Sequence, residues 1–337
     1  NKRYFDKIMH FALSKEKLLV SVLILSLIIN GIFLYASWHH ISDSILTNSQ
    51  KQEFSLLNPE LSKLTYDQLK AGQKFYAVNY LPLKKTINET VKLPSDVTWG
   101  LYFENLNSGT WIGINERTPF YSGSLRKIPL LAAVLQEVNE ERLSLETPIK
   151  ILPEDINSYS GILYTKSSGY SLTVAELMNY TVYYSDNTAA NALLRTVGSK
   201  KIIDIMFNLG FSYTTYLNNK DHVELYPLSA KEFSNSFKSL YYSNTLRRKH
   251  SQYILDLLTH TSFTKGLPAG VPFDIPVAHK TAYTVETAQH HDCGIVYYPH
   301  SPYILCIMTK GMTQEEADQF ISRISKITYE YVKHTES

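Results

Sequence analysis

Residues 98–115 read TWGLYFENLNSGTWIGIN, two runs of aromatic and β-branched residues on either side of Asn107-Ser108-Gly109. Runs of this kind parted by a glycine-containing turn predict a β-hairpin. The next sheet-like text lies far downstream. VAHKTAY (277–283), DCGIVYY (292–298) and YILCIMT (303–309) read as three strands, the last two joined by the turn-rich loop Pro299-His300-Ser301-Pro302. Between the two groups, from about Ser124 to Thr261, the pattern is mostly helical. TQEEADQFISRISKITYEYVKH (313–334) closes the chain as an amphipathic helix with Thr313 as its N-cap. Strands, helices, strands and a helix in this order predict an α+β domain whose two ends share one sheet.

Upstream the text changes character. Leu18 to Trp38 reads LLVSVLILSLIINGIFLYASW, 21 residues without a charge, long enough to cross a hydrocarbon core of about 30 Å as a helix. The run is longer than the apolar core of a cleavable signal peptide and lacks a small-x-small site after it, so an uncleaved anchor is expected. Lys2, Arg3, Lys7, Lys15 and Lys17 precede it, which places the N-terminus in the cytoplasm and the rest of the chain outside. The expected organisation is a cytoplasmic tail (1–17), a transmembrane helix (18–38), a stalk (39–92) with a short helix near 57–72, and a globular domain (93–337).

The whole chain has 337 residues, 33 Lys+Arg against 31 Asp+Glu, and 44% hydrophobic residues, which excludes wholesale disorder. Its formal net charge of +2 gives no electrostatic reason to expect nucleic acid. The two cysteines, Cys293 and Cys306, have no CxxC metal spacing. No metal or cofactor is expected.

Three short motifs carry the chemistry. SGSLRKIPLLAAVLQEV (122–138) contains Ser124-Leu125-Arg126-Lys127, S-x-x-K, at a predicted helix start near Ser124, with Pro129 tolerated only there. A helix N-terminus aims backbone N–H groups at the serine, and a lysine three residues on shares its face and can activate the hydroxyl. By itself the motif is weak, since Ser14-Lys15-Glu16-Lys17 matches it too. Ser185-Asp186-Asn187 interrupts two helices. Taken alone it reads as an N-cap, and the functional alternative is a proton-relaying hydroxyl followed by an orienting amide. Lys280-Thr281-Ala282 places a cation and a hydroxyl on a strand, suited to a substrate carboxylate.

S-x-x-K, then SDN, then K-T-small, in that order, resembles the class A β-lactamases and penicillin-binding proteins. Flanking text is similar as well: KIPLLAAVL, VYYSDNTAANALL and GLPAGVPFDIPVAHKTA. The resemblance covers about 97–334. It implies an antiparallel five-stranded sheet flanked by helices, and an acyl-enzyme formed on Ser124 with Lys127 in proton transfer. Ser185 would relay a proton to the leaving nitrogen. Asn187, Lys280 and Thr281 would hold substrate, and the backbone N–H groups of Ser124 and Tyr283 would form the oxyanion hole. The implied substrate is a β-lactam or a peptidoglycan stem peptide.

Two departures stand out. Ala282 replaces the usual glycine of the third motif, and its methyl shares a strand face with Lys280. The class A deacylating glutamate, carried in E-x-x-L-N, is missing from YLNNKDHVELYPLSAKEF (216–233), leaving Asp221 and Glu224 as the nearby acids. Acylation machinery is complete and deacylation machinery is not. Three functions follow: a β-lactamase-type hydrolase, a penicillin-binding D,D-carboxypeptidase-like enzyme with slow deacylation, or a non-catalytic cell-wall-binding sensor. His290-His291-Asp292 is read as structural, because successive strand residues face opposite ways, and His279 faces away from Lys280 for the same reason. Cys293 and Cys306 are expected as buried thiols on neighbouring strands, with a disulfide allowed by an oxidising exterior.

Overall fold

A computed structural model describes residue 30, residues 78–212 and residues 227–336. The chain divides into two compact units, 1–53 and 54–337. The apolar segment 18–38 (apart from the helical Asn30), the helix expected near 57–72, and the candidate bases Asp221 and Glu224 lie outside the described residues. Among the described residues no helix is long and apolar enough to cross a membrane.

The folded part opens with α1 (Leu81–Thr90), then β1 (Thr98–Asn105), β2 (Trp111–Ile114) and the short β3 (Phe120–Tyr121). The helical section follows: α2 (Lys127–Asn139), α3 (Val174–Tyr183), α4 (Asn187–Val197), α5 (Ser199–Asn208), α6 (Ala230–Tyr242) and α7 (Arg248–Thr259). The minor strands β4 (Pro148–Lys150), β5 (Ser171–Thr173) and β6 (Pro227–Leu228) fall within it. The chain ends with β7 (Val277–Thr284), β8 (Gln289–Val296), β9 (Tyr303–Lys310) and α8 (Gln314–Glu336).

The five main strands form one antiparallel sheet in the order β2-β1-β9-β8-β7. Strand β9 pairs with β1 along all eight residues, Thr98 opposite Lys310 through Asn105 opposite Tyr303, and so joins the early and late strands of the folded unit. Strand alternation sorts the side chains into two cores. Leu101, Phe103, Leu305 and Ile307 pack under α1 and α8 with Leu83, Ile87, Ile321 and Ile324. Tyr102, Ile304, Cys306, Met308, Ala278 and Ala282 face the helical section. Strand β7 is left as the edge, where a site can open.

Three expectations are corrected here. The folded unit begins upstream of Leu93: Tyr80 lies 4.6 Å from the Phe103 ring, and Leu83 and Ile87 are fully buried. That stripe is a single i, i+4 pair, too short to stand out as a period. Strand β8 starts at Gln289, not at Asp292. Its buried polar residues are satisfied, since Gln289 Oε1 accepts from Tyr121 N at 2.9 Å and His291 Nε2 lies 2.8 Å from Tyr121 O. Finally, Cys293 and Cys306 are not free thiols. The register puts them directly opposite, with Cα atoms 3.9 Å apart, and they are disulfide-bonded. Thr313 caps α8 as expected, in a reciprocal pair with Glu316.

Candidate active site

The first motif lies where the sheet meets the helices. Ser124 sits in a single 3-10 turn, Gly123–Arg126, and α2 begins only at Lys127. This corrects the expected start at Ser124. Pro129 then occupies the third helical position, where a backbone N–H has no intrahelical partner to lose. Gly123 has φ +49°, and a β-carbon there would approach the Ala282 methyl to 3.2 Å. The turn that presents Ser124 is thus pressed against β7.

Lys127 is buried and points back across the turn. Its Nζ lies 3.2 Å from Ser124 Oγ, 3.0 Å from Ser185 Oγ and 2.7 Å from Asn187 Oδ1, and it also donates to the Ser185 carbonyl. Ser185 adopts φ +51°, an unfavourable region for a residue with a side chain, and this aims its hydroxyl at both lysines. Lys280, on edge strand β7, donates to Ser185 Oγ at 2.9 Å and to the Thr281 carbonyl at 2.8 Å. One hydroxyl therefore sits between two buried lysine nitrogens.

The SDN segment caps a helix and meets the two lysines at once. Asp186 is the N-cap of α4, accepting from Ala189 N at 2.9 Å, and its other oxygen accepts from Ile162 N and Leu163 N at 2.7 and 2.8 Å. Gly161 makes that approach possible, because a β-carbon there would fall 2.1 Å from the carboxylate. The same loop steadies Asn187, whose Nδ2 donates to Asn157 Oδ1 at 3.1 Å and whose backbone N donates to Ser160 O at 3.0 Å.

Charge in the pocket is lopsided. Among the described residues neither lysine has a carboxylate within ion-pair distance. Burial, then the Lys280 and Arg126 cations, hold Lys127 well below the ordinary lysine value, opposed by Asp186. Burial lowers Lys280 to about 7, opposed by Asp292. A lysine so depressed can be a neutral amine near pH 7 and accept a proton from the adjacent serine hydroxyl. The hydroxyl of Ser185 can pass that proton onward.

Of the residues singled out by sequence, Ser124, Lys127, Ser185, Asn187 and Lys280 converge on one point. Thr281 lies half-buried beside them on β7. The Tyr283 amide nitrogen lies 3.9 Å from where a Gly123 β-carbon would be, so it borders the Ser124 turn. The Tyr283 ring packs on His290, centroids 4.3 Å apart. His279 does face away from Lys280: its Nδ1 lies 2.8 Å from Asp292 Oδ1, and Asp292 also accepts from Leu267 N. That bonding gives Asp292 a structural role. Sequence reasoning missed Asn157, Gly161, Thr261 and Phe263. Only Gly161 left a trace, as a glycine in a polar loop.

Comparison with known proteins agrees with this fold. A family model described as the beta-lactamase enzyme family matches residues 82–332. The β-lactamase VEB-1 of Pseudomonas aeruginosa is 26% identical over 269 residues, covering 72% of this chain and 88% of that protein. Among solved structures, PBP-A superposes with a TM-score of 0.68 at 24% identity, covering 75% of this chain and 97% of PBP-A. A β-lactamase from Sphaerobacter thermophilus gives 0.66 at 19% identity, covering 77% and 98%. At these identities the structural likenesses speak to the fold.

Proposed function

This chain belongs to the β-lactamase enzyme family, and from that premise we propose that it is a serine hydrolase that opens β-lactam or D-alanyl peptide amides through an acyl-enzyme on Ser124. The proposal includes its setting. Residues 18–38 anchor the chain, 1–17 stay in the cytoplasm, and the catalytic domain lies outside, joined by a stalk. The observation that carries the reading is the shared hydroxyl of Ser185, 3.0 Å from Lys127 Nζ and 2.9 Å from Lys280 Nζ, with Lys127 also 3.2 Å from Ser124 Oγ.

In the proposed reaction the neutral Lys127 amine takes the Ser124 proton as Oγ bonds to the carbonyl carbon. The amides of Ser124 and Tyr283 stabilise the developing oxyanion, each such donor being worth about 3 kcal/mol. The proton then passes from Lys127 through Ser185 to the amide nitrogen, the C–N bond breaks, and the acyl group remains on Ser124. Lys280 as a cation, with Thr281, holds the substrate carboxylate. Asn187 keeps Lys127 in place through Oδ1 and offers an amide hydrogen to substrate. Water then releases the acyl group, with Asp221 or Glu224 the nearby carboxylates in the sequence.

A second reading, a penicillin-binding enzyme with slow release, is favoured by one observation. The sequence Thr214-Thr215-Tyr216-Leu217-Asn218 keeps the Leu-Asn of E-x-x-L-N and has threonine in the glutamate's place. A variant of PBP-A has been solved as an acyl-enzyme complex with penicillin G, and VEB-1 bears the name of a β-lactamase. Incubating the protein with a fluorescent penicillin and following attachment and release separates the two. Fast attachment and fast release mark a β-lactamase, and persistent label marks a penicillin-binding enzyme. Absence of any label rejects both.

A further inference from the structure

Behind the site, one three-residue segment reaches both β7 and the turn before Ser185. Thr261, Ser262 and Phe263 follow α7 and lie against β7 at His279 and Lys280. The Thr261 hydroxyl lies 3.0 Å from His279 Nε2, and His279 Nδ1 lies 2.8 Å from Asp292 Oδ1. The imidazole thus bridges the Asp292 carboxylate at Nδ1 and the Thr261 hydroxyl at Nε2. Ser262 donates to the Tyr183 carbonyl twice, from N at 3.1 Å and from Oγ at 2.6 Å, two residues before Ser185. Phe263 sets its ring 5.4 Å from Lys280 Nζ. Carboxylate, imidazole and hydroxyl thus form a chain on the face of β7 opposite Lys280. Through the next two residues that chain reaches the turn holding Ser185 and the ammonium it meets.

We propose that Thr261 and Phe263 are positioning residues for the two-lysine centre, a clamp anchored on the buried His279–Asp292 pair; this rests on the acyl-enzyme reading above. Thr261 fixes the clamp to β7, Ser262 ties it to the end of α3, and Phe263 sets a ring beside the Lys280 cation, which favours the charged form. The charged groups around Lys280 are Lys127 on α2 and Asp292 on β8. Arg126 in the 3-10 turn and Asp186 at the start of α4 act on it through Lys127. Asp292 anchors the clamp and is left unchanged in the variants below, and the other three lie outside it, so a change at Phe263 reports the clamp itself.

The test compares the full-length protein with Thr261→Val, Thr261→Ser and Phe263→Leu, using a fluorescent penicillin, over a range of pH. Thr261→Val keeps shape and loses the hydroxyl, and its limiting acylation rate should fall about tenfold, as for a small misplacement of reacting groups. Thr261→Ser should return to within about twofold of wild type, since the hydroxyl is restored. Phe263→Leu should move the alkaline limb of acylation down by about half a pH unit, the size of a cation–π contact. If wild type labels while all three variants match it in rate and pH profile, the clamp is rejected and the acyl-enzyme reading stands. A Thr261→Val loss that serine does not restore, with an unmoved limb in Phe263→Leu, also rejects it. If wild type itself does not label, the acyl-enzyme reading has failed first.

Discussion

His279 and Lys280 are neighbours on one strand, and the environments they enter could hardly differ more. On one face of β7, His279 and Asp292 form a buried acid–imidazole pair completed by Thr261 and the Leu267 amide. On the other, Lys280 and Lys127 share the Ser185 hydroxyl, without a carboxylate in contact among the described residues. A buried charge with its partner is scaffold. A buried lysine cation held only by neutral oxygens is costly to keep, and such a cost is tolerated where a ligand or reaction supplies the missing anion.

Substitutions can break that contrast. The largest expected effect is on Lys127→Met, which removes the proton acceptor beside Ser124; acylation by a fluorescent penicillin should fall by roughly a thousandfold or more. Next comes a split between the two faces, read by urea unfolding. Asp292→Ala strands His279 and the Leu267 amide and should cost roughly 3–5 kcal/mol. Lys280→Met removes an unpaired buried cation and should hold or raise stability while weakening capture of carboxylate-bearing substrates. Equal destabilisation by both changes would erase the distinction between scaffold and site.

Smaller effects sharpen it. Supplying the missing carboxylate by Thr214→Glu should speed release of a bound penicilloyl group by about tenfold or more, the usual scale for general-base assistance. Label release in this variant no faster than in wild type would show that position 214 does not stand in the glutamate's place. The pH dependence follows from Lys280, lowered to about 7. Below that pH it is a cation, the form that holds the substrate carboxylate in the proposed reaction. As pH rises through it the charge is lost, so kcat/KM for a carboxylate substrate should fall above about 7. An ester analogue lacking the carboxylate should show no such limb from Lys280. Smallest is Ala282→Gly: the methyl abuts the Gly123 turn, and removing it should leave acylation within about threefold of wild type or raise it. A large loss would show that the methyl holds the Ser124 turn in place.

Much of this was legible in the sequence because its signals are local. The hairpin, the three terminal strands and the capped final helix each announce themselves by alternation or by a cap. Ser124, Lys127, Ser185 and Lys280 were legible through motif order. What sequence did not show depends on pairing across the fold. The Asp186 cap reads as a helix start, yet its second oxygen holds a loop more than twenty residues away, at Ile162 and Leu163. The disulfide needed the β8–β9 register, which no spacing rule provides. The role of His279 needed Asp292 and Thr261, brought together by three separate elements. The start of α2 slipped by three residues because a 3-10 turn and an α-helical first turn have the same composition.

Ser124 is the proposed nucleophile of this centre. Treating the full-length protein with penicillin G, digesting it and locating the adduct by mass spectrometry tests that most directly. One penicilloyl group is expected, on the peptide containing Ser124, and none on a Ser124→Ala variant. An adduct on another residue, or no adduct on folded wild-type protein, would contradict it.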